Sequence, residues 1–437
     1  MKRIVILGAG TAGTIMANRL SRLYRSEIKC EAISITIVDQ ESEHLYQPGL
    51  LFIPFGVYQP SEIVRRQVDT LPDHVTRIQS GINRVLADTD EVELANGQKL
   101  AYDVLIIATG TEIAPEETDG LTGPGWCERM FEFYTLDGAV ALGEALEQWE
   151  GGRLVVDIVD MPIKCPVAPL EFAFLADWYF TERGIRDKVD ITYVTPLDSA
   201  FTKPTCAKAL THLLTEKGVK LVTEFNAGEV DGKNGRLVSW DERVVEFDLL
   251  VSVPLHMGAE FIEHTPGLGD DQRFVLVDQR TLQAQVKPNI FAIGDATNVP
   301  ASKAGSVAHF EAEILEHNVR LFLQDTPLEH GFDGHANCFI ETGFKKALLI
   351  DFNYNVEPLP GKFPLPGIGP LPLLKESRLN HVGKMLFRWI YWNMLLPGRH
   401  IPGTSTHMSM RGKQPLPHTP EEPAKEEPSE EMPSQVA

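Results

Sequence analysis

No run of this 437-residue chain approaches the roughly 20 consecutive apolar residues that a membrane-spanning helix needs. Crossing a bilayer is therefore not expected, although lying on one is not excluded. Positive charge is also short: 40 basic residues stand against 61 acidic ones, a net of −21, which argues against a nucleic-acid binder. Cysteine is sparse, five in all, and no two are spaced C-x-x-C, so no zinc site, and no metal site, is indicated. Ahead of the first strand there is no charged n-region, apolar h-region or cleavage site. The expectation is a cytoplasmic chain whose thiols are reduced, reactive or buried rather than locked in structural disulfides.

A further absence is local. Residues 153–176 read RLVVDIVDMPIKCPVAPLEFAFLA, a buried apolar strand, a turn and a helix. A dinucleotide-binding βα unit would place G-x-G-x-x-G in that turn, because only glycine lets backbone N–H groups close on a pyrophosphate at the helix N-terminus. Here Pro162, Pro166 and Pro169 remove donors and fix φ instead. What the turn offers is a thiol, Cys165, with a carboxylate, Glu171, six residues later. The segment reads as a pyridine-nucleotide site turned into a redox-cysteine site.

The glycine pattern missing there is present at the start. RIVILGAGTAGTIMANRL carries Gly8, Gly10 and Gly13 between an apolar strand and an Ala/Leu helix, the context the motif requires. A second strand ends in Asp39, placed for a ribose hydroxyl; the insert 26–32 lengthens its distance from the glycines. Two later pieces are an apolar strand ending Ala108-Thr109-Gly110 and another closing on Gly294-Asp295. This order resembles the two-dinucleotide-domain flavoproteins. By that resemblance the first site holds FAD, with Asp295 at its ribityl or phosphate region. A helix following Lys303-Ala304 would aim its positive end at the flavin ring.

The expected fold is α/β, two Rossmann-like domains of the glutathione-reductase type. Residues 1–112 and 280–330 form the FAD-binding domain and 113–279 the second domain, without a nucleotide loop. Residues 331–411 supply C-terminal strands and amphipathic helices, and 412–437 a disordered Pro/Glu tail. Residues 373–396 read as a helix carrying Leu379, Met385, Leu386, Trp389, Ile390, Tyr391 and Trp392 among Lys375, Arg378, Lys384 and Arg388. Such a stretch suits an anionic membrane surface, or equally a helix docked on its own domain. Cys30 and Cys206 read as structural, and Cys127 as a loop thiol between the two dinucleotide-like regions.

These residues together resemble the sulfide:quinone oxidoreductase family, and its sibling, the flavoprotein subunit of flavocytochrome c sulfide dehydrogenases. The resemblance rests on GAGTAG at 8–13, on Tyr46-Gln47-Pro48-Gly49-Leu50, on IIATG, on KCPVAPLE at 164–171, on AIGDA and on Cys338-Phe339. It implies that Cys165 and Cys338 are the catalytic pair on one face of the flavin, with Glu171 the acid beside them. It implies that Gln47 and Pro48 join the cofactor contacts, and that the C-terminal helices dock on the cytoplasmic face of the membrane and shape a quinone pocket. Sulfide and a membrane quinone are the expected partners, and a homo-oligomer is allowed. Two departures stand out. Many members carry a third cysteine before T-x-D and a histidine just after it; here those places are Tyr134 and Gly138, so a covalent flavin link is not expected. The implied chemistry is attack of hydrosulfide on a Cys165–Cys338 disulfide, giving a persulfide that lengthens toward polysulfide. The alternatives are a type II NADH:quinone oxidoreductase, which needs the phosphate loop absent at 160–165, and a flavin-bearing sulfane-sulfur carrier that does not turn over.

Overall fold

A computed structural model of the chain describes residues 1–364 and 369–414. It opens with strand β1 (Lys2–Leu7), helix α1 (Thr11–Leu23) and strands β2 (Ile33–Asp39), β3 (Thr76–Gln79) and β4 (Val104–Ile107). A second run follows: β5 (Met130–Phe131), α2 (Leu136–Gln148), β6 (Gly152–Ile158), α3 (Ala168–Glu182), β7 (Val189–Val194), α4 (Pro204–Glu216), β8 (Lys220–Val222) and β9 (Leu249–Val253). The chain then returns through β10 (Ile290–Ala292) and α5 (Gly305–Leu323) and closes with β11 (Ala336–Gly343), β12 (Lys346–Phe352) and α6 (Arg378–Ile390).

These strands make two parallel five-stranded sheets, ordered β10-β4-β1-β2-β3 and β5-β9-β6-β7-β8. In each the central strand, β1 or β6, is buried over most of its length. That is why both read as apolar runs without alternation. The late strand β10 pairs with β4 at the edge of the first sheet, so the Gly294-Asp295 turn and the Ala108-Thr109-Gly110 turn leave neighbouring strands at the same end. The α/β class expected from the sequence is the class observed.

Helix α3 is buried almost all round, as expected of a helix apolar on every face. One side lies on the second sheet; the other is covered by the antiparallel hairpin β11–β12, paired from Ala336↔Phe352 to Glu341↔Ala347. Helix α6 lies against that hairpin in turn. Phe172 of α3 anchors the stack, its ring parallel to Phe133 at 5.1 Å and tilted against Phe55 at 4.9 Å.

Two expectations are corrected. The C-terminal helix begins at Arg378 rather than at 373: residues 371–373 pair as a short strand with 361–363, Leu374 is left-handed at φ 52°, and Ser377 caps the helix by accepting from Asn380 N–H at 3.0 Å. The folded chain also runs past 411. Lys413 is buried, its ammonium 2.6 Å from Asp351, and Asp351 accepts from His335 at 2.7 Å. Residues 415–437, where the rest of the expected tail falls, lie outside the described residues. No helix among the described residues is long and apolar enough to cross a membrane.

Replacing Phe172 by Ala removes the ring that both flanking aromatics rest on and is expected to cost about 3–5 kcal/mol. Urea denaturation of the variant checks this; a loss under about 1 kcal/mol would show that α3 is not the anchor described.

Candidate active site

The glycine turn after β1 is shaped by close backbone passage. A Cβ on Gly8, which sits at φ +93°, would fall 2.5 Å from the Ala108 carbonyl oxygen, and one on Gly13 would fall 1.9 Å from the Gly8 oxygen. Gly10 faces open space, and so do Gly110 and Gly305. Gly10 caps α1 without a side-chain acceptor, which leaves first-turn N–H groups for an anion. Asp39 accepts from Ala9 N–H at 2.5 Å and from Glu41 N–H at 2.8 Å, holding the turn, and is itself half-buried. Gln47 is exposed and Pro48 half-buried, at the start of a 3-10 turn over Gln47–Phe52. The Thr109 hydroxyl is buried without a partner among the described residues. Together these residues fit a dinucleotide of the FAD kind.

Beside the cradle, Lys303 ties the late turn to the backbone of Cys165. Its ammonium donates to the Asp295 and Thr297 carbonyls at 2.9 and 2.8 Å and lies 3.9 Å over the Phe274 ring. Its own carbonyl accepts from Cys165 N–H at 2.7 Å. Glu311 of α5, raised to about 8 by burial, accepts from Gly294 N–H at 2.7 Å. Ala304 caps α5 without a side-chain bond, and the Asp295 carboxyl is raised by burial despite Lys303 and Lys164 nearby.

The second turn has no cradle. Pro169 occupies the first turn of α3, and Ala168 and Glu171 donate their N–H groups to Cys165 and Val167 carbonyls at 2.8 and 3.0 Å. Cys165 is left-handed at φ +51°, a strained conformation for a residue with a side chain. Its thiol is pushed up to about 12, first by burial and then by Glu171, with Lys384 opposing. Cys338, on β11, is pushed up by burial and next by Cys165; both thiols are free. Ser306 at the start of α5 donates to the Asn337 carbonyl at 2.8 Å, tying the Cys338 strand to the Lys303 segment.

Glu171, fully buried, joins these parts. Its Oε1 accepts from Glu341 N–H at 2.6 Å and pairs with the Lys384 ammonium, which also donates to the Phe339 carbonyl at 3.1 Å. Its Oε2 has no hydrogen-bond partner among the described residues. Burial holds the Glu171 carboxyl above the usual carboxylate range although Lys384 pulls it down. The structure therefore brings Cys165, Cys338 and Glu171 into one field, closed by a lysine from α6.

A family model for pyridine nucleotide-disulphide oxidoreductases matches residues 2–156. The mitochondrial sulfide:quinone oxidoreductase of Mus musculus is 27% identical over 402 residues, 90% of this chain and 86% of that protein. The Dictyostelium discoideum mitochondrial enzyme is 26% identical over 91% of this chain and 86% of its own length. Among solved structures, the sulfide:quinone oxidoreductase of Aquifex aeolicus superposes with a TM-score of 0.76 at 18% identity, covering 91% of this chain and 92% of that one.

The chain is similar to the sulfide:quinone oxidoreductases over about nine-tenths of its length.

Its departures from their pattern have a physical basis. A histidine at Gly138 would have to displace the Glu132 carboxylate, because a Cβ there would lie 1.8 Å from its oxygen. Glu132 fills that place to accept from the Tyr134 and Thr135 N–H groups and the Thr135 hydroxyl. Tyr134, where many members have a third cysteine, is buried with its hydroxyl unpartnered among the described residues and its ring edge-on to His256 at 4.7 Å. Cys127 is an exposed loop thiol, as expected, and Cys206 is buried. Cys30 is exposed, its thiol donating to the Glu27 carbonyl at 3.5 Å at the end of the short helix Arg25–Lys29. Sequence reading missed His44, Tyr391 and the part played by Lys384. The Tyr391 hydroxyl lies 2.7 Å from both His44 Nε2 and Thr11 Oγ1, and the Tyr46 ring packs on Tyr391 at 4.8 Å. Four consecutive residues, Trp389 to Trp392, turn through most of a helical circle. Trp389 is 57% exposed while Tyr391 is 1% exposed, so Tyr391 and Trp392 plug into the first domain rather than facing outward.

Because the Cys165 thiol sits well above its ordinary value, its alkylation by iodoacetamide in reduced protein should keep rising with pH past 9 instead of levelling there. Lys384→Met, which removes the cation lowering it, should slow the reaction at fixed pH severalfold. Rates followed by mass at Cys165 check both; an unchanged rate in the variant would separate Lys384 from the thiol.

Proposed function

We propose that the chain oxidises sulfide with bound FAD and passes the electrons to a membrane quinone, through a redox pair formed by Cys165 and Cys338. The observation that carries the reading is the cluster itself: two thiols raised by burial, Cys165 next by Glu171 and Cys338 next by Cys165, with Lys384 opposing at both. Gly8, Gly10, Gly13, Asp39, Gln47, Pro48, Ala108, Thr109, Gly110, Gly294, Asp295, Lys303 and Ala304 would hold the cofactor. FAD supplies a two-electron acceptor that a quinone can reoxidise.

With the pair oxidised, hydrosulfide attacks one sulfur; the new S–S bond makes a cysteine persulfide and the old one breaks to leave the other cysteine as thiolate. Loss of two electrons and a proton from persulfide and thiolate joins them through the added sulfur. The next hydrosulfide opens that bridge, so the sulfane chain lengthens by repetition. Glu171, raised by burial, takes the proton released at the sulfur, and Lys384 steadies the thiolate. The left-handed turn at Cys165 presents the thiol where a glycine relative would present backbone N–H groups to a phosphate.

The outer face of α6 exposes Leu379, Val382, Leu386 and Trp389. With Lys375 and Arg378 exposed beside them, this face suits an anionic membrane surface where the quinone dissolves.

Cys165→Ser and Cys338→Ser should each abolish sulfide-dependent reduction of a soluble quinone while the purified protein keeps its yellow FAD. Full activity in either variant removes the pair from the mechanism. Rapid oxidation of NADH by the wild-type protein, with none of sulfide, would favour an NADH:quinone oxidoreductase instead.

A further inference from the structure

On the reading just given, each turnover draws a proton from solution. Hydrosulfide yields sulfane sulfur, one proton and two electrons; the quinone takes two electrons and two protons; the balance is HS⁻ + Q + H⁺ → S⁰ + QH₂. Neither member of the buried pair meets water freely: Glu171 is fully buried and the Lys384 side chain is 13% exposed.

A second buried carboxylate adjoins them. Glu341 of β11, its side chain 2% exposed, gives its N–H to Glu171, and its two carboxylate oxygens lie 3.0 and 2.9 Å from Nδ1 of His381. His381 is three residues before Lys384 on α6, one turn away. Its side chain is 24% exposed, the most open of the four. The imidazole faces Glu341 from α6. Glu341 in turn acts on Glu171 from α3, on Lys384 from α6 and on Tyr58, which lies under Arg388 and Glu62. The start of α6 is already fixed by the Ser377 cap and by paired backbone bonds between Ser377 and Ala347. Anchoring the helix does not require a buried carboxylate as well, and burying one is costly.

We propose that His381 and Glu341 are the proton port of the site: the imidazole takes from solvent the second proton that QH₂ needs, the first being the one Glu171 takes at the sulfur, and Glu341 passes it toward Lys384 and Glu171. Both are proton-transfer and positioning residues; neither touches sulfur or quinone. An imidazole has two ring nitrogens, so one can take a proton from water while the other hands one to a carboxylate.

The test uses the FAD-loaded full chain with a soluble quinone at saturating sulfide, from about pH 5.5 to 9. Wild-type kcat should fall as pH rises through the histidine range. His381→Gln, which keeps a donor for Glu341 but cannot titrate, should lose about tenfold or more in kcat with KM for sulfide unchanged. Its pH profile should be flat, and added imidazole should restore the rate. Glu341→Gln should give the same flat profile without rescue. A wild-type profile in either variant, or a loss in His381→Gln that imidazole does not restore, overturns the port. If the wild type reduces no quinone with sulfide, the functional reading fails separately, and the port is then judged without turnover. The rate of Cys165 alkylation should show an inflection in the histidine range that His381→Gln abolishes; its absence in wild type, or its persistence in the variant, overturns the port.

Discussion

A carboxylate that the fold seals from water must be answered by donors, and here they come from far along the chain. Glu171 lies on α3; its partners are the N–H of Glu341 on β11 and the ammonium of Lys384 on α6. Losing one partner of such a pair costs about 3–5 kcal/mol, because the other charge is left uncompensated. The hairpin and the last helix are therefore conditions for burying Glu171, not additions to a finished core. The same contact sets the field in which both thiols sit, so stability and chemistry share one interaction.

The two Rossmann-like halves use the same strand-turn-helix geometry in opposite ways. At the first, Gly10 leaves the helix end open and uncapped. At the second, Pro169 and the hydrogen bonds of residues 165–171 close it, and the turn projects a side chain in a left-handed conformation. Lys303 connects the two uses: its side chain holds the Asp295 turn, and its carbonyl holds Cys165.

What could be read beforehand was whatever local pattern encodes. The Gly8-Gly10-Gly13 turn, the apolar central strands and the prolines around Cys165 each state their conformation within a few residues. The pairing of Glu171 with Lys384 was not legible, because it spans 213 positions and neither residue carries a local signature of its partner. For Tyr391 and Trp392 the sequence leaves a membrane surface and their own domain equally open, since composition alone does not say which side of a helix meets protein. The helical angle between Trp389 and Tyr391 was the available clue. The helix start was missed for a similar reason: the left-handed Leu374 is a backbone property that leucine does not announce. Gly138 needed knowledge of the Glu132 carboxylate occupying its side-chain space.

The account stands on Cys165 and Cys338 forming one oxidisable pair within that field. The most direct measurement is peptide mapping by mass spectrometry of protein oxidised under mild conditions and unfolded in alkylating agent. A cross-linked peptide joining Cys165 to Cys338, directly or through added sulfur, with Cys30, Cys127 and Cys206 alkylated, is the predicted result. Separate alkylation of Cys165 and Cys338, or pairing of either with a different cysteine, would contradict it.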